Sequence, residues 1–199
     1  LGLGPRQHRL HLLALGVLLT LPLFMVLIMA NSGLAIVASA FAVFNSVTHL
    51  VEVRNPKGEI IAQLTATTAW PVKGYVSEEF GVPHLPWQAT HTGIDIANPL
   101  GIIGDPVTPF MVGKVIIADD SEKTGWGKYV VVDHGSSITS LYGHLSAVNV
   151  VKDQEVKPGD VIGLEGSTGH STGSHVHFEI RVYGVPVNPR VFMVGEPVL

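Results

Sequence analysis

HVHFEIRVY, residues 175–183, sets the reading of this chain. It reads as a short strand. Residues i and i+2 of a strand share a face, so His175, His177 and Glu179 project together. Working outward, similar short apolar runs recur at VGKVIIA (112–118), KYVVVDH (128–134), SITSLY (137–142) and VIGLEG (161–166). Gly and Pro are frequent between them, and HGSS (134–137) and KPGD (157–160) are credible hairpin turns. No segment from 70 to 199 holds a helical period over ten or more residues. Short, regularly spaced strands predict an all-β domain, an antiparallel sandwich or partly open barrel.

Five side chains carry the chemistry: His91 and Asp95 in HTGID (91–95), His144 in YGHLS (142–146), and His175 and His177 in SHVHFE (174–179). Each can bind or serve a metal. Three of them, two imidazoles and the one carboxylate, have the make-up of a catalytic zinc site with a fourth position left for water. His91 and Asp95 are four apart, one face of a helix or of a strand. Gly93 between them argues against helix, so the segment reads as extended or loop. A lone histidine in a β domain is usually structural. The argument therefore rests on the combination of HTGID, YGH and HVH.

Further stretches join these motifs: WPVKGYVSEEFG (70–81), HTGIDIANP (91–99), GWGKYVVVDHG (125–135), SLYGHLS (140–146), VKPGDVIGLEGSTGHSTGSHVHFEI (156–180) and VNP (187–189). In this order they resemble the lysostaphin-type, or LytM-like, zinc metallopeptidases, which cut peptide cross-links in bacterial cell walls. The resemblance covers most of residues 70–190. It implies a zinc-dependent endopeptidase hydrolysing amide bonds in peptidoglycan stem or bridge peptides. His91, Asp95 and His177 match the family's zinc ligands, and His144 and His175 match its two non-ligand catalytic histidines. The chain has no HExxH, so no glutamate base stands beside the ligands. Imidazole, with an unperturbed pKa of about 6.5, suits that role near neutral pH. His144 or His175 is expected to take the proton from the attacking water. The protonated ring would then stabilise the oxyanion or supply the leaving amine.

Neighbouring residues leave two readings each. Glu179 either orients a ligand ring or makes a structural hydrogen bond. Tyr142 shares the parity of His144, so it lines the cleft or packs as a strand aromatic. His134 reads as structural, and His170 either touches substrate or is solvated. Asp105, Asp119 and Asp120 read as turn and surface residues. GLEGSTGHSTG lacks a Walker lysine, which excludes a phosphate-binding loop. The chain also departs from the family. Val82-Pro83 follow EFG where an arginine is common, residues 82–90 offer His84 and Trp87 but no tyrosine, and LGIIGDPV (100–107) is long for its turn.

The N-terminal third is a different material. Hydrophobic residues are 46% of the chain and charged ones 14%, and that excess is local. Residues 10–30 hold no charge and are long enough to cross a bilayer core of roughly 30 Å. The expected organisation is a basic tail (1–9), a hydrophobic, helical transmembrane segment (10–44), a connector (45–69) and the peptidase domain (70–199). Arg6 and Arg9 would keep the N-terminus cytoplasmic and the domain outside, anchored to the membrane. Two other readings stand. Ala38-Ser39-Ala40 resembles a signal cleavage site, which would make the protein secreted. Alternatively, Asn31-Ser32-Gly33 turns residues 34–44 back as a second helix. In the connector, RNPKG (54–58) separates VTHLVEV from EIIAQLT, as a hairpin or as a spacer.

There is no cysteine, which excludes disulfides and thiolate metal sites. Formal net charge is −4 and no basic cluster stands out, so no nucleic-acid partner is expected. The competing functions are a non-cleaving wall-binding regulator and a membrane component of a cell-envelope secretion machine, with envelope proteins as partners. A degenerate regulator should lack one or more of the five residues, and none is missing.

Overall fold

A computed structural model describes residues 37–82 and 90–198. Three strands open it: β1 (Ala42–Asn45), β2 (Leu50–Arg54) and β3 (Ile60–Thr65). There follow β4 (Tyr75–Glu78), β5 (Ile94–Ala97), β6 (Pro106–Val107), β7 (Gly113–Asp119), β8 (Lys128–Asp133) and β9 (Ile138–Leu145). The last are β10 (Ala147–Val148), β11 (Glu155–Val156), β12 (Gly163–Leu164), β13 (Val176–Val182) and β14 (Val185–Val187), before a 3-10 turn at Pro189–Val191. The all-β expectation holds. The main sheet runs β11-β7-β8-β9-β13-β5-β4 with β14 beside β13, and its strands pair antiparallel. It is an open sheet rather than a closed barrel. A small sheet, β10-β12-β6, and the β1-β2-β3 sheet complete the architecture.

The alternation of β13 sets the layers. Val176, Phe178, Ile180 and Val182 are buried among Ile94, Ile96, Val130, Val132 and Tyr142 in the core. The odd-numbered residues face the other way, and β5 and β9 flank them on either side. HGSS makes its turn, with Ile138 N–H donating to the Gly135 carbonyl. KPGD does the same, through Asp160 N–H to the Lys157 carbonyl.

The N-terminal expectations divide. Residues 1–36, which include the apolar run 10–30, lie outside the described residues. Among the described residues, no helix is long and apolar enough to cross a membrane. Residues 37–41 are helical for barely more than a turn, and Ala42–Asn45 are strand. Ala38 and Ala42 are buried in the same core as Phe192 and Val187. The end of the apolar stretch is thus part of the folded body, and residues 37–44 do not form the second arm of a helical hairpin. The strand is stabilised because Ala42 and Phe44 pair with Val53 and Val51 of β2. The connector is the hairpin rather than the spacer: β2 and β3 pair from Leu50↔Thr65 onward.

Candidate metal centre

Register brings the ligand candidates together. His177 of β13 lies directly opposite Asp95 of β5, and side chains in such pairs stand about 5 Å apart at Cβ. His91 sits just before β5, in a non-helical segment that bends at Gly93. Gly93 touches β13 so closely that a Cβ there would lie 2.4 Å from the Phe178 carbonyl oxygen. Three donor atoms converge. His91 Nε2 is 3.1 Å from Asp95 Oδ1, His177 Nδ1 is 2.8 Å from the same oxygen, and the two nitrogens are 3.0 Å apart.

The far sides of both rings are fixed. His91 Nδ1 lies 3.1 Å from the Glu79 carbonyl, and His177 Nε2 lies 2.9 Å from Glu179 Oε1. Each acceptor holds the proton on the outer nitrogen and turns a lone pair inward, the usual second support of a ligating histidine. Glu179 therefore orients a ring. Its carboxylate is fully buried, and it also accepts from Thr92 Oγ1 at 2.6 Å and Arg181 Nε at 2.6 Å. Electrostatics point the same way. Burial opposes charge on His177, but hydrogen bonds to Asp95 and Glu179 carry its pKa up to about 9, so at neutral pH a proton competes with a cation for its inner nitrogen. Burial likewise works against the Asp95 charge, yet His177 and His91 hold it well below the usual carboxylate range. Two buried carboxylates thus draw positive charge to this point. The donor spacing approaches the ligand–ligand edge of about 3.3 Å expected for tetrahedral zinc with bonds near 2.0–2.1 Å. Two imidazole nitrogens and one carboxylate oxygen, so placed, fit a divalent ion such as zinc.

His144 and His175 face the same cleft of about 390 Å³, together with Glu78, Trp126 and His170. Their ring centroids are 4.7 Å apart. His144 Nδ1 donates to the Thr168 carbonyl at 2.7 Å, leaving Nε2 as the basic nitrogen. Burial lowers the His144 pKa to about 4 against that hydrogen bond, so the ring is neutral at pH 7. His175 Nδ1 donates to the Gly173 carbonyl at 2.9 Å, and its Nε2 lies 3.5 Å from Asp95 Oδ2. All five predicted residues therefore meet at one place.

The secondary expectations sort cleanly. Tyr142 is fully buried, stacked on Phe178 with 5.4 Å between centroids, and is a core residue. His134 is structural: Nδ1 donates to the Val112 carbonyl at 2.9 Å and Nε2 meets Ser140 Oγ at 2.7 Å. His170 lines the cleft. Asp105 accepts from Asn98 Nδ2 at 2.6 Å and Asp119 caps its own turn through Ser121 N–H. His84 and Trp87 lie outside the described residues. Trp126 and Thr168 escaped the reading of the sequence. They act largely through backbone carbonyls, to His144 N–H at 2.7 Å and to His144 Nδ1, and no side-chain pattern encodes a carbonyl.

Comparisons with known proteins agree with this geometry. The sequence model of peptidase family M23 matches residues 89–189. The DD-carboxypeptidase/endopeptidase Mpg of Neisseria meningitidis is 42% identical over 127 residues, covering 62% of this chain and 28% of that protein. The murein hydrolase activator NlpD of Escherichia coli is 36% identical over 124 residues, covering 62% of this chain and 30% of that protein. The chain thus spans less than a third of the length of these relatives. Among solved structures, a zinc-containing peptidase from Vibrio cholerae superposes with a TM-score of 0.56 at 32% identity, over 70% of this chain and 45% of that one. With the match running from just before His91 to beyond His177, this chain belongs to peptidase family M23.

Proposed function

We propose that this chain is a zinc-dependent endopeptidase that hydrolyses amide bonds in peptidoglycan stem or bridge peptides. One observation carries the reading: the three donor atoms of His91, Asp95 and His177 meet within 3.1 Å, in the cleft that also holds His144 and His175. A family member reduced to binding has no need of the complete set. Zinc, when held by those three residues, supplies Lewis acidity that polarises the scissile carbonyl and makes water more acidic.

The protein's own groups do the rest. The peptide lies along the cleft between Trp126 and the His91 side. His144, neutral and tied through Nδ1 to the Thr168 carbonyl, offers Nε2 as a proton acceptor. His175 presents Nε2 from the other side of the pair. One ring takes the proton of the attacking water, and the pair then supports the oxyanion and protonates the leaving amine. The tie from each Nδ1 to a backbone carbonyl keeps both rings oriented between turnovers.

The apolar run 10–30 serves, in this reading, as a membrane anchor that leaves the peptidase domain outside the cytoplasm, facing the wall. Likeness to the activator NlpD gives the second reading, a regulator that binds wall or hydrolase without cutting. Digestion of purified peptidoglycan by the zinc-loaded protein separates the two. Released muropeptides are identified by mass spectrometry, beside His177→Ala and chelator-treated controls. Cleavage that disappears in both controls supports the enzyme and names the bond. Absence of cleavage from folded, zinc-containing protein across several wall chemistries supports the regulator.

A further inference from the structure

The metal-binding half of the site and the His144 half stand on different elements, and one side chain touches the supports of both. Arg181 leaves β13 on the same face as His177 and Glu179. Its Nε and Nη2 both reach Glu179 Oε2, at 2.6 and 2.5 Å. That leaves Oε1 for His177 Nε2 and Thr92 Oγ1. The guanidinium also lies over the Trp126 ring, 5.2 Å from its centroid. Trp126 in turn walls the cleft, and its carbonyl receives the His144 N–H at 2.7 Å.

We propose that Arg181 is a positioning residue that couples the two halves of the site: it locks Glu179 against the ring of His177 and braces Trp126 beneath His144. The inference rests on the metal-centre reading above. Its physical basis is twofold. A fully buried carboxylate needs a compensating cation, and Arg181 supplies it from a position with its side chain 27% exposed. A planar guanidinium can fork onto a carboxylate and stack on an indole together, which an ammonium cannot. Among the described residues, the polar and ring contacts of Arg181 are with Glu179 and Trp126 and not with the donor triad or the cleft histidines, so it acts through those two.

The test is zinc affinity of the purified protein, measured by competition with a chromophoric chelator, in Arg181→Ala, Arg181→Lys, Glu179→Gln and the Arg181→Ala/Glu179→Gln double variant. Loss of a support behind a ligating histidine weakens metal binding about 10–100-fold, and Arg181→Ala should fall in that range. Arg181→Lys, which keeps the charge and the fold, should recover part of the loss. The double variant should bind no more weakly than Glu179→Gln alone, because both substitutions break one chain of contacts. At saturating zinc, Arg181→Ala should still show a lower kcat, the signature of the Trp126 arm acting on His144. Wild-type affinity in Arg181→Ala would overturn the proposal. So would losses that simply multiply in the double variant, which would mean that Arg181 does not act through Glu179. A wild-type protein with no zinc affinity would instead remove the metal centre itself, whatever the variants do.

Discussion

At the scale of single residues, the site is organised by which nitrogen of each ring is tied. His91, His144, His175 and His177 each give one nitrogen to a carbonyl or carboxylate and turn the other inward. That division makes distinct predictions for the proposed ligands and for the proposed bases. Replacing His144 with Ala removes a ring outside the donor triad. The variant should hold zinc within a few-fold of wild type yet lose at least about 100-fold in hydrolysis. Zinc loss in that variant would show that the roles are wrongly divided. His134 offers a test away from the metal. Burial, against its hydrogen bond to the Val112 carbonyl, lowers its pKa below 6.5 in the folded state. The unfolded chain therefore takes up the proton first as pH falls. The stabilisation is complete above about pH 6.5 and is lost as pH falls through the lowered folded value. Thermal melting of wild type should drop from pH 8 to pH 5 more steeply than that of His134→Gln. Parallel curves would sink this account.

At the scale of elements, most of the site was legible from strand periodicity. HVHFE gave the shared face of His175, His177 and Glu179 because i, i+2 spacing is a rule of backbone geometry. The same rule misplaced Tyr142 relative to His144. Strict alternation would send both to one face, and Tyr142 is in the core opposite Phe178. His144 escapes because its φ is +60°, a left-handed conformation costly for a residue with a Cβ, at the end of an irregular β8–β9 pairing. What holds it there is tertiary: the Trp126 carbonyl at its N–H and the Thr168 carbonyl at Nδ1. The loops carrying those carbonyls meet through glycine. Gly169 has φ +71°, and a Cβ on it would lie 2.3 Å from Gly127 N. Gly169→Ala should therefore separate the loops, costing about 1–3 kcal/mol in urea denaturation. Hydrolysis should fall while zinc affinity holds, since none of the three donors lies on those loops. Equal loss of both would place the loops under the metal ligands instead.

At the scale of the whole molecule, the boundary between the apolar segment and the M23 domain was the least legible feature. Hydropathy cannot separate an apolar run that crosses lipid from one that ends in a protein core, because both lack charge. The stretch up to Phe44 reads as one apolar block, yet Ala38 and Ala42 pack with Phe192. The β1-β2-β3 sheet then buries Val51 and Val53 completely. Thr67 fastens it to the C-terminal segment, with Thr67 N–H donating to the Phe192 carbonyl and Val194 N–H to the Thr67 carbonyl, both at 2.8 Å. That segment reaches the site. Arg190 grips the Glu79 carboxylate at 2.7 Å, and the Glu79 carbonyl holds His91 Nδ1. A protein cut at residue 70, where sequence alone begins the peptidase domain, should therefore be weaker than one cut at residue 37. Burial of Val51 and Val53 contributes about 1.5–3 kcal/mol each, and for a domain of this size 1 kcal/mol moves Tm by about 2–4 °C. The shorter form should melt about 10 °C or more below the longer one, and its zinc affinity should fall because the support behind His91 loosens. Equal melting temperatures and equal affinities would mean that the N-terminal sheet merely rests on the remainder of the domain. A deficit in both would mean that the β1-β2-β3 sheet is a structural support of the proposed metal centre.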